Sequence, residues 1–161
     1  MNEMIKVGMA DLKTGRNSDV ITTLGLGSCI GIALYDPTTK IGGLAHVMLP
    51  DSTAIKNNSN IAKFADTGIA ELLSQMIKMG AKRTCIVAKI AGGAKMFEMS
   101  GLSAIGNVGE RNAEASRETL KKLGIRLIAE DTGLNYGRTV ELYCDTGKFL
   151  IKSVGKAVKE I

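Results

Sequence analysis

Two apolar runs, CIGIALYD (29–36) and IGGLAHVML (41–49), flank the turn Asp36-Pro37-Thr38-Thr39-Lys40. Aspartate followed by proline opens turns, because the carboxylate caps nearby amides and the proline ring presets φ. Apolar runs on both sides of so short a connection predict a β-hairpin. That hairpin carries Cys29, the first of three cysteines, and His46, the only histidine. Counting outward from the turn, Cys29 is seven residues before Asp36 and His46 six after Lys40. Adjacent antiparallel strands therefore place the two within about one pair of opposite each other, to within a residue or two of register.

The rest of the chain supplies partners for that hairpin. Residues 4–10 and DVITTLGLG (19–27) read as strands, and PDSTAIKNNSN (50–60) as a polar loop. A helix is predicted from Ile61 to Lys78, with Ile61, Phe64, Ala65, Ile69, Leu72, Leu73 and Met76 on one face and Gly80 as its stop. TCIVAKIA (84–91) reads as a buried strand, followed by the glycine-rich GGAKMFEMSG. Residues 107–124 predict a second helix, with Asn107 and Glu110 in capping-box spacing, Lys121 and Lys122 in the last turn and Gly124 at its end. IRLIAED (125–131), RTVELYCD (138–145) and KFLIKSV (148–154) complete about seven strands, the last two joined by a DTGK turn. No repeat or linker divides the chain, so residues 1–161 form one domain of the α+β or mixed-sheet class.

Composition narrows the function classes. At 45% hydrophobic and 23% charged residues, the chain is an ordinary globular one. No apolar run approaches the roughly 18–20 residues of a membrane span. The start, MNEMIKVGMADLK, is broken by Glu3, Lys6 and Asp11 and is no signal peptide, so a cytoplasmic location is expected. Cys29, Cys85 and Cys144 form no CxxC pair, which argues against a disulfide framework and a zinc site. Between Glu71 and Glu98 lie Lys78, Lys82, Arg83, Lys89 and Lys95 with no acidic residue. That stretch is either a solvated basic face or a surface for an acidic partner. Nucleic acid is not supported, since no stacking aromatics are interleaved with these charges.

A nucleophilic cysteine needs a base within reach and donors for the oxyanion it creates. Cys29 follows Gly25-Leu26-Gly27-Ser28, whose glycines let the backbone turn and a substrate approach. Amides from Gly27 and Ser28 to Cys29 could face an oxyanion, and His46 could take the thiol proton or hold a thiolate–imidazolium pair that keeps the cysteine ionised near neutral pH. The residues leave a second reading open, in which Cys29 and His46 are buried members of a β-core. For Cys85 and Cys144, in apolar runs without a nearby histidine, the core reading is preferred. GLGSCIG lacks dinucleotide-fingerprint spacing. The absence of arginine between Arg16 and Arg83 argues against a cysteine phosphatase.

TLGLGSC (23–29), AHVMLP (45–50), GGAKMF (92–97), IGNVGERN (105–112) and EDTGLNYGR (130–138) occur in the order found in the CheD family, which this chain resembles over nearly its whole length. That family comprises chemoreceptor glutamine deamidases of chemotaxis. The resemblance implies an α/β/β layered sandwich of two mixed sheets with helices on one side. It implies a catalytic set of Cys29 as nucleophile, His46 as base and Thr23 as the residue that orients the imidazole. It also implies that no metal or organic cofactor takes part. The implied reaction hydrolyses a receptor glutamine side chain to glutamate and ammonia, and the same thiolate could attack a glutamyl methyl ester. The implied partners are the cytoplasmic helices of chemoreceptors and a CheC-type phosphatase, so a regulatory binding module is the rival reading. The stretch from Lys78 to Lys95 becomes a candidate docking face for the receptor. One departure from the family pattern is Leu134, where a glycine is expected.

Overall fold

In a computed structural model, the protein is described at residues 4–54, 59–96 and 108–161. Ten strands and two α-helices are seen among these residues. The strands are β1 (Met4–Val7), β2 (Asp11–Arg16), β3 (Val20–Leu26), β4 (Ile30–Asp36), β5 (Ile41–Val47), β6 (Val87–Gly92), β7 (Arg126–Thr132), β8 (Arg138–Tyr143), β9 (Phe149–Lys152) and β10 (Lys159–Glu160). The helices are α1 (Ala65–Met79) and α2 (Val108–Lys122).

The predicted hairpin is the spine of one sheet, ordered β2-β5-β4-β6-β7. Every residue of β4 and β5 is buried, because each face of the pair meets another layer. Ile30, Ile32 and Leu34 point one way with Ile41, Ala45 and Val47, into a core shared with Ile69, Leu72 and Met76 of α1 and Ala113 and Leu120 of α2. Cys29, Ala33 and Leu44 point the other way, against Val7, Ile21, Leu26, Val140 and Leu142 of the second sheet, ordered β1-β3-β8-β9-β10. The helices thus cover the outer face of the first sheet, and the second sheet covers its inner face. Both sheets are mixed, since β1 runs parallel to β3 and β6 to β7 while the other pairs are antiparallel. This is the α+β layered sandwich expected. Helix α1 lies close on β5: a Cβ on Gly43 would sit 2.6 Å from Leu72 Cδ1.

The helix predicted from Ile61 begins as a 3-10 turn (Ile61–Lys63), and α1 proper ends at Gly80, the expected stop, which takes the left-handed conformation. Asn107, the proposed cap of α2, lies outside the described residues, as do residues 97–106 of the quoted motifs. Two strands escaped the sequence reading. β2, DLKTGR, is a charged edge strand paired only with β5, so it needs no apolar run. β10 is two exposed residues on the edge of β9. The strand predicted from Thr84 starts at Val87, after a 3-10 turn over Arg83–Cys85. Cys85 is therefore half-buried rather than a core residue, whereas Cys144 is fully buried as expected.

The basic stretch does not form one face. Lys89 pairs with Ala33 on the inner side of the sheet, and its ammonium donates to the carbonyls of Gly147 and Ile161. Lys82 and Arg83 lie beside the hairpin turn, where the Lys82 amide donates to Asp36 Oδ2 at 2.7 Å. Cys29 is at the opposite end of β4, about 20 Å away for seven strand residues.

Candidate active site

β4 and β5 pair with Gly31 opposite His46 and Ile30 opposite Val47. Cys29 therefore lies two residues from the position facing His46, where the count from the turn expected about one. An even offset matters, since an odd one would send the two side chains to opposite faces of the sheet. Both point inward, and Gly31, directly opposite His46, puts no side chain between them. Diagonal neighbours of this kind have Cβ atoms roughly 7 Å apart, within reach of an imidazole and a thiol.

His46 is fully buried, and its ring reaches across to the second sheet. There the hydroxyl of Thr23, itself 1% exposed, lies 2.8 Å from His46 Nδ1 and 2.8 Å from the carbonyl of Val7. The parallel pairing of β1 with β3 sets Val7 beside Thr23. A hydroxyl has one proton, and a carbonyl can only accept it. Thr23 thus donates to Val7 and must accept from Nδ1–H. The imidazole is held with its proton on Nδ1, and Nε2 keeps a lone pair. Among the described residues that lone pair has no hydrogen-bond partner. The neighbouring Thr22 is spent differently, donating to the Val140 carbonyl at 2.8 Å.

Burial pushes the His46 imidazole below its ordinary value, so it rests neutral. Burial pushes the Cys29 thiol up, against a smaller opposing pull from its own backbone amide. Both shifts favour a neutral thiol and a neutral base over an ion pair. This arrangement suits general-base catalysis, in which the proton leaves sulfur as the bond forms.

The loop before Cys29 is held from behind at three successive carbonyls. Ala94 N–H donates to Gly27 O, Asn112 Nδ2 to Ser28 O and Gly93 N–H to Cys29 O, each at 2.9 Å. Gly92, at φ 113°, permits this approach, because a Cβ there would collide with the Cys29 carbonyl oxygen. Gly27 N–H is itself spent on Gly25 O at 3.1 Å. Of the residues named for oxyanion binding, Gly27 therefore has no free amide. The amides of Ser28 and Cys29 have no partner in another described residue. Exposed Leu24, Gly25 and Met96 flank the loop, and Met96 Cγ lies 3.2 Å from where a Gly27 Cβ would stand.

Two contributors were missed as site residues. Val7 acts through a backbone carbonyl, which leaves no mark in a sequence. Asn112 appeared only inside a quoted motif. Its signal is a polar side chain on the buried stripe of α2, with Gly109, Ala113, Ser116 and Leu120. Among the described residues no three His, Cys, Asp or Glu side chains come together as a metal site requires. No helix there is long and apolar enough to cross a membrane.

The family described as "CheD chemotactic sensory transduction" matches residues 48–153. That span begins after His46, so full-length relatives are what cover the site. A protein of Lachnoclostridium phytofermentans named "Probable chemoreceptor glutamine deamidase CheD" is 60% identical over 161 residues, covering 100% of both chains. Proteins of the same name are 52% identical in Caldanaerobacter subterraneus subsp. tengcongensis, covering 99% of each chain. In Clostridium botulinum the figure is 54%, covering 98% of this chain and 97% of that one. Among solved structures, the Bacillus licheniformis hypothetical protein YfiH is similar at a TM-score of 0.45 and 16% identity, over 72% of this chain and 47% of that chain. That likeness is too loose to speak to function.

Proposed function

This chain belongs to the CheD family, and from that premise we propose that it is a chemoreceptor glutamine deamidase whose nucleophile is Cys29, whose base is His46 and whose orienting residue is Thr23. The observation that carries the residue assignment is the buried, unpartnered lone pair on His46 Nε2, on the same sheet face as Cys29, with Nδ1–H tied to Thr23.

In the first half-reaction the Cys29 thiol gives its proton to His46 Nε2 as Sγ bonds to the carboxamide carbon of a receptor glutamine. The carbonyl oxygen becomes an oxyanion, which the Ser28 and Cys29 amides receive. Nε2–H then protonates the departing nitrogen, ammonia leaves, and a thioester remains on Cys29. In the second half-reaction Nε2 takes a proton from water, and the resulting hydroxide attacks the thioester carbon. Sγ departs and recovers the proton, which leaves glutamate on the receptor. Throughout, Nδ1–H stays on Thr23, so the imidazolium formed at each step is oriented and solvated by one fixed acceptor.

The receptor's cytoplasmic helices are the proposed substrate, which places the protein in the cytoplasm. A CheC-type phosphatase is proposed as a second partner, bound at the rim of the same site. Support for a shared rim comes from Leu24 and Met96, apolar and 61% and 43% exposed beside the Cys29 loop.

The deciding experiment is the intact mass of a receptor cytoplasmic fragment incubated with this protein and with Cys29→Ala. Each deamidated glutamine adds about one dalton, amide to acid, and the gain is expected only with the cysteine present. A gain of equal size with Cys29→Ala would overturn the nucleophile. Unchanged mass across several receptors, with tight phosphatase binding by both forms, would favour the binding module.

A further inference from the structure

The trans peptide is planar, and its C=O and N–H point in opposite directions. No cis bond occurs in the described chain. Whatever holds the Ser28 carbonyl therefore also aims the N–H of Cys29, at the other end of the same peptide plane. What holds that carbonyl is Asn112. Its Nδ2 donates to Ser28 O at 2.9 Å and to Met48 O at 3.0 Å. Two carbonyls facing one amide group admit only NH2 toward them, so the orientation of the side chain is unambiguous.

We propose that Asn112 is a positioning residue for the deamidation site, which aims the Cys29 amide at the oxyanion by pulling the Ser28 carbonyl the other way. The inference rests on the cysteine hydrolase reading above and assigns the residue that builds its oxyanion hole. Three further observations bear on it. Cys29 and Met48 stand just past the last ladder pair, Ile30 with Val47, so Asn112 closes the open end of the hairpin that carries nucleophile and base. Its own helical turn is braced, with Ser116 Oγ donating to the Asn112 carbonyl at 2.7 Å. Asn112 is also fully buried with Oδ1 unpartnered among the described residues. An orphaned acceptor costs desolvation free energy, which an apolar residue on this stripe would not incur. What Nδ2 does offsets that cost. The N–H of Cys29, on the far side of the same peptide plane from the Ser28 carbonyl, is thereby turned away from the Asn112 amide.

The test compares the full-length protein with Asn112→Leu, which keeps the branched shape and removes both donors, and with Asn112→Ala. Alkylation of Cys29 by iodoacetamide, located by peptide mass, needs a thiolate and no oxyanion. Acylation by p-nitrophenyl acetate, read as released nitrophenolate, passes through an oxyanion. Turnover of a receptor fragment supplies kcat and KM. Loss of one oxyanion donor costs roughly a hundredfold or more, so acylation and kcat are expected to fall by about that factor in both variants. KM and the alkylation rate are expected to stay within about twofold of wild type. Acylation that persists in a folded variant would overturn the proposal. So would alkylation that falls in parallel with acylation, since that marks general loosening of the loop. If Asn112→Ala melts below the assay temperature, Asn112→Leu decides. A wild-type protein that acylates but never deamidates receptors would sink the deamidase reading and leave this inference standing. A wild-type protein that alkylates but never acylates would overturn it.

Discussion

Thr23 stands between an oxygen that can only accept and an imidazole that can do either, and its single proton selects the tautomer of His46. Replacing Thr23 by valine keeps the shape and the strand preference but removes the acceptor. Nδ1–H would then be buried unsatisfied, and the ring would gain freedom to carry its proton on Nε2, where it is useless as a base. The expected result for Thr23→Val is a fall in kcat of about ten- to a hundredfold, less than the loss of a carboxylate from a triad would cause. Thr23→Ser should keep most of the activity, because it restores the hydroxyl. Steady-state kinetics on a receptor fragment would read both, and a fully active Thr23→Val would remove the tautomer argument. At this scale Cys29 and His46 were legible in the sequence by their uniqueness within one hairpin. Thr23 came only with the family resemblance, and the Val7 carbonyl not at all, because β1, which carries it, meets β3 in space rather than in sequence.

The hairpin is the element that sets the distance from His46 to Cys29, the proposed base and nucleophile, and its turn is anchored by Asp36. Burial would raise that carboxyl, but the Lys82 amide and the hydroxyl and amide of Thr38 outweigh it, and its pKa falls to about 2. A carboxylate whose folded value lies below its unfolded one stabilises the protein above the unfolded value. That contribution is lost as pH falls through the folded value. Asp36→Asn is therefore expected to cost about 2 kcal/mol at neutral pH, and wild type and variant should converge as pH drops from about 4 towards 2. Urea midpoints over that range would check it, and a difference that did not shrink in acid would mean that the carboxylate's charge is not what holds the turn. The element-level reading succeeded where apolar periodicity is strong, in β4, β5 and α1. It failed at β2, whose charged side chains hide a half-buried strand that is paired with one neighbour.

Across the whole molecule, the two sheets are fastened at the end that carries Cys29 by Arg138. It issues from β8 in one sheet, and its side chain is fully buried. Nε donates to Asp131 Oδ2 at 3.0 Å, while Nη1 reaches the carbonyls of Gly92 and Gly133 at 3.3 and 3.1 Å. Its guanidinium also lies 4.7 Å above the centre of the Tyr136 ring. Arg138→Met would fill the space but leave Asp131, among the described residues, with only the exposed Lys159 as its ionic partner. A stability loss of about 3 kcal/mol is expected, as when one member of a buried pair is removed. Because Gly92 backs the Cys29 loop, activity should fall as well. Denaturant unfolding with unchanged m-value would measure the first, and a loss below about 1 kcal/mol would show that desolvation of the guanidinium had nearly cancelled its bonds.

By itself the amino-acid sequence determined what depends on neighbours along the chain. It specified the hairpin and its turn, the two amphipathic helices, and the approach of Cys29 to His46. These are settled by side-chain period and turn chemistry over a few residues. The tertiary structure alone decided what depends on which buried faces meet. It closed the second sheet over the first, so that Thr23 could fix the imidazole and burial could hold both thiol and base neutral. It also brought Asn112, 84 positions from Ser28, down onto the loop that precedes the cysteine. Such contacts follow from layers packing together to exclude water, and a local pattern shows that a face will be buried without showing against what.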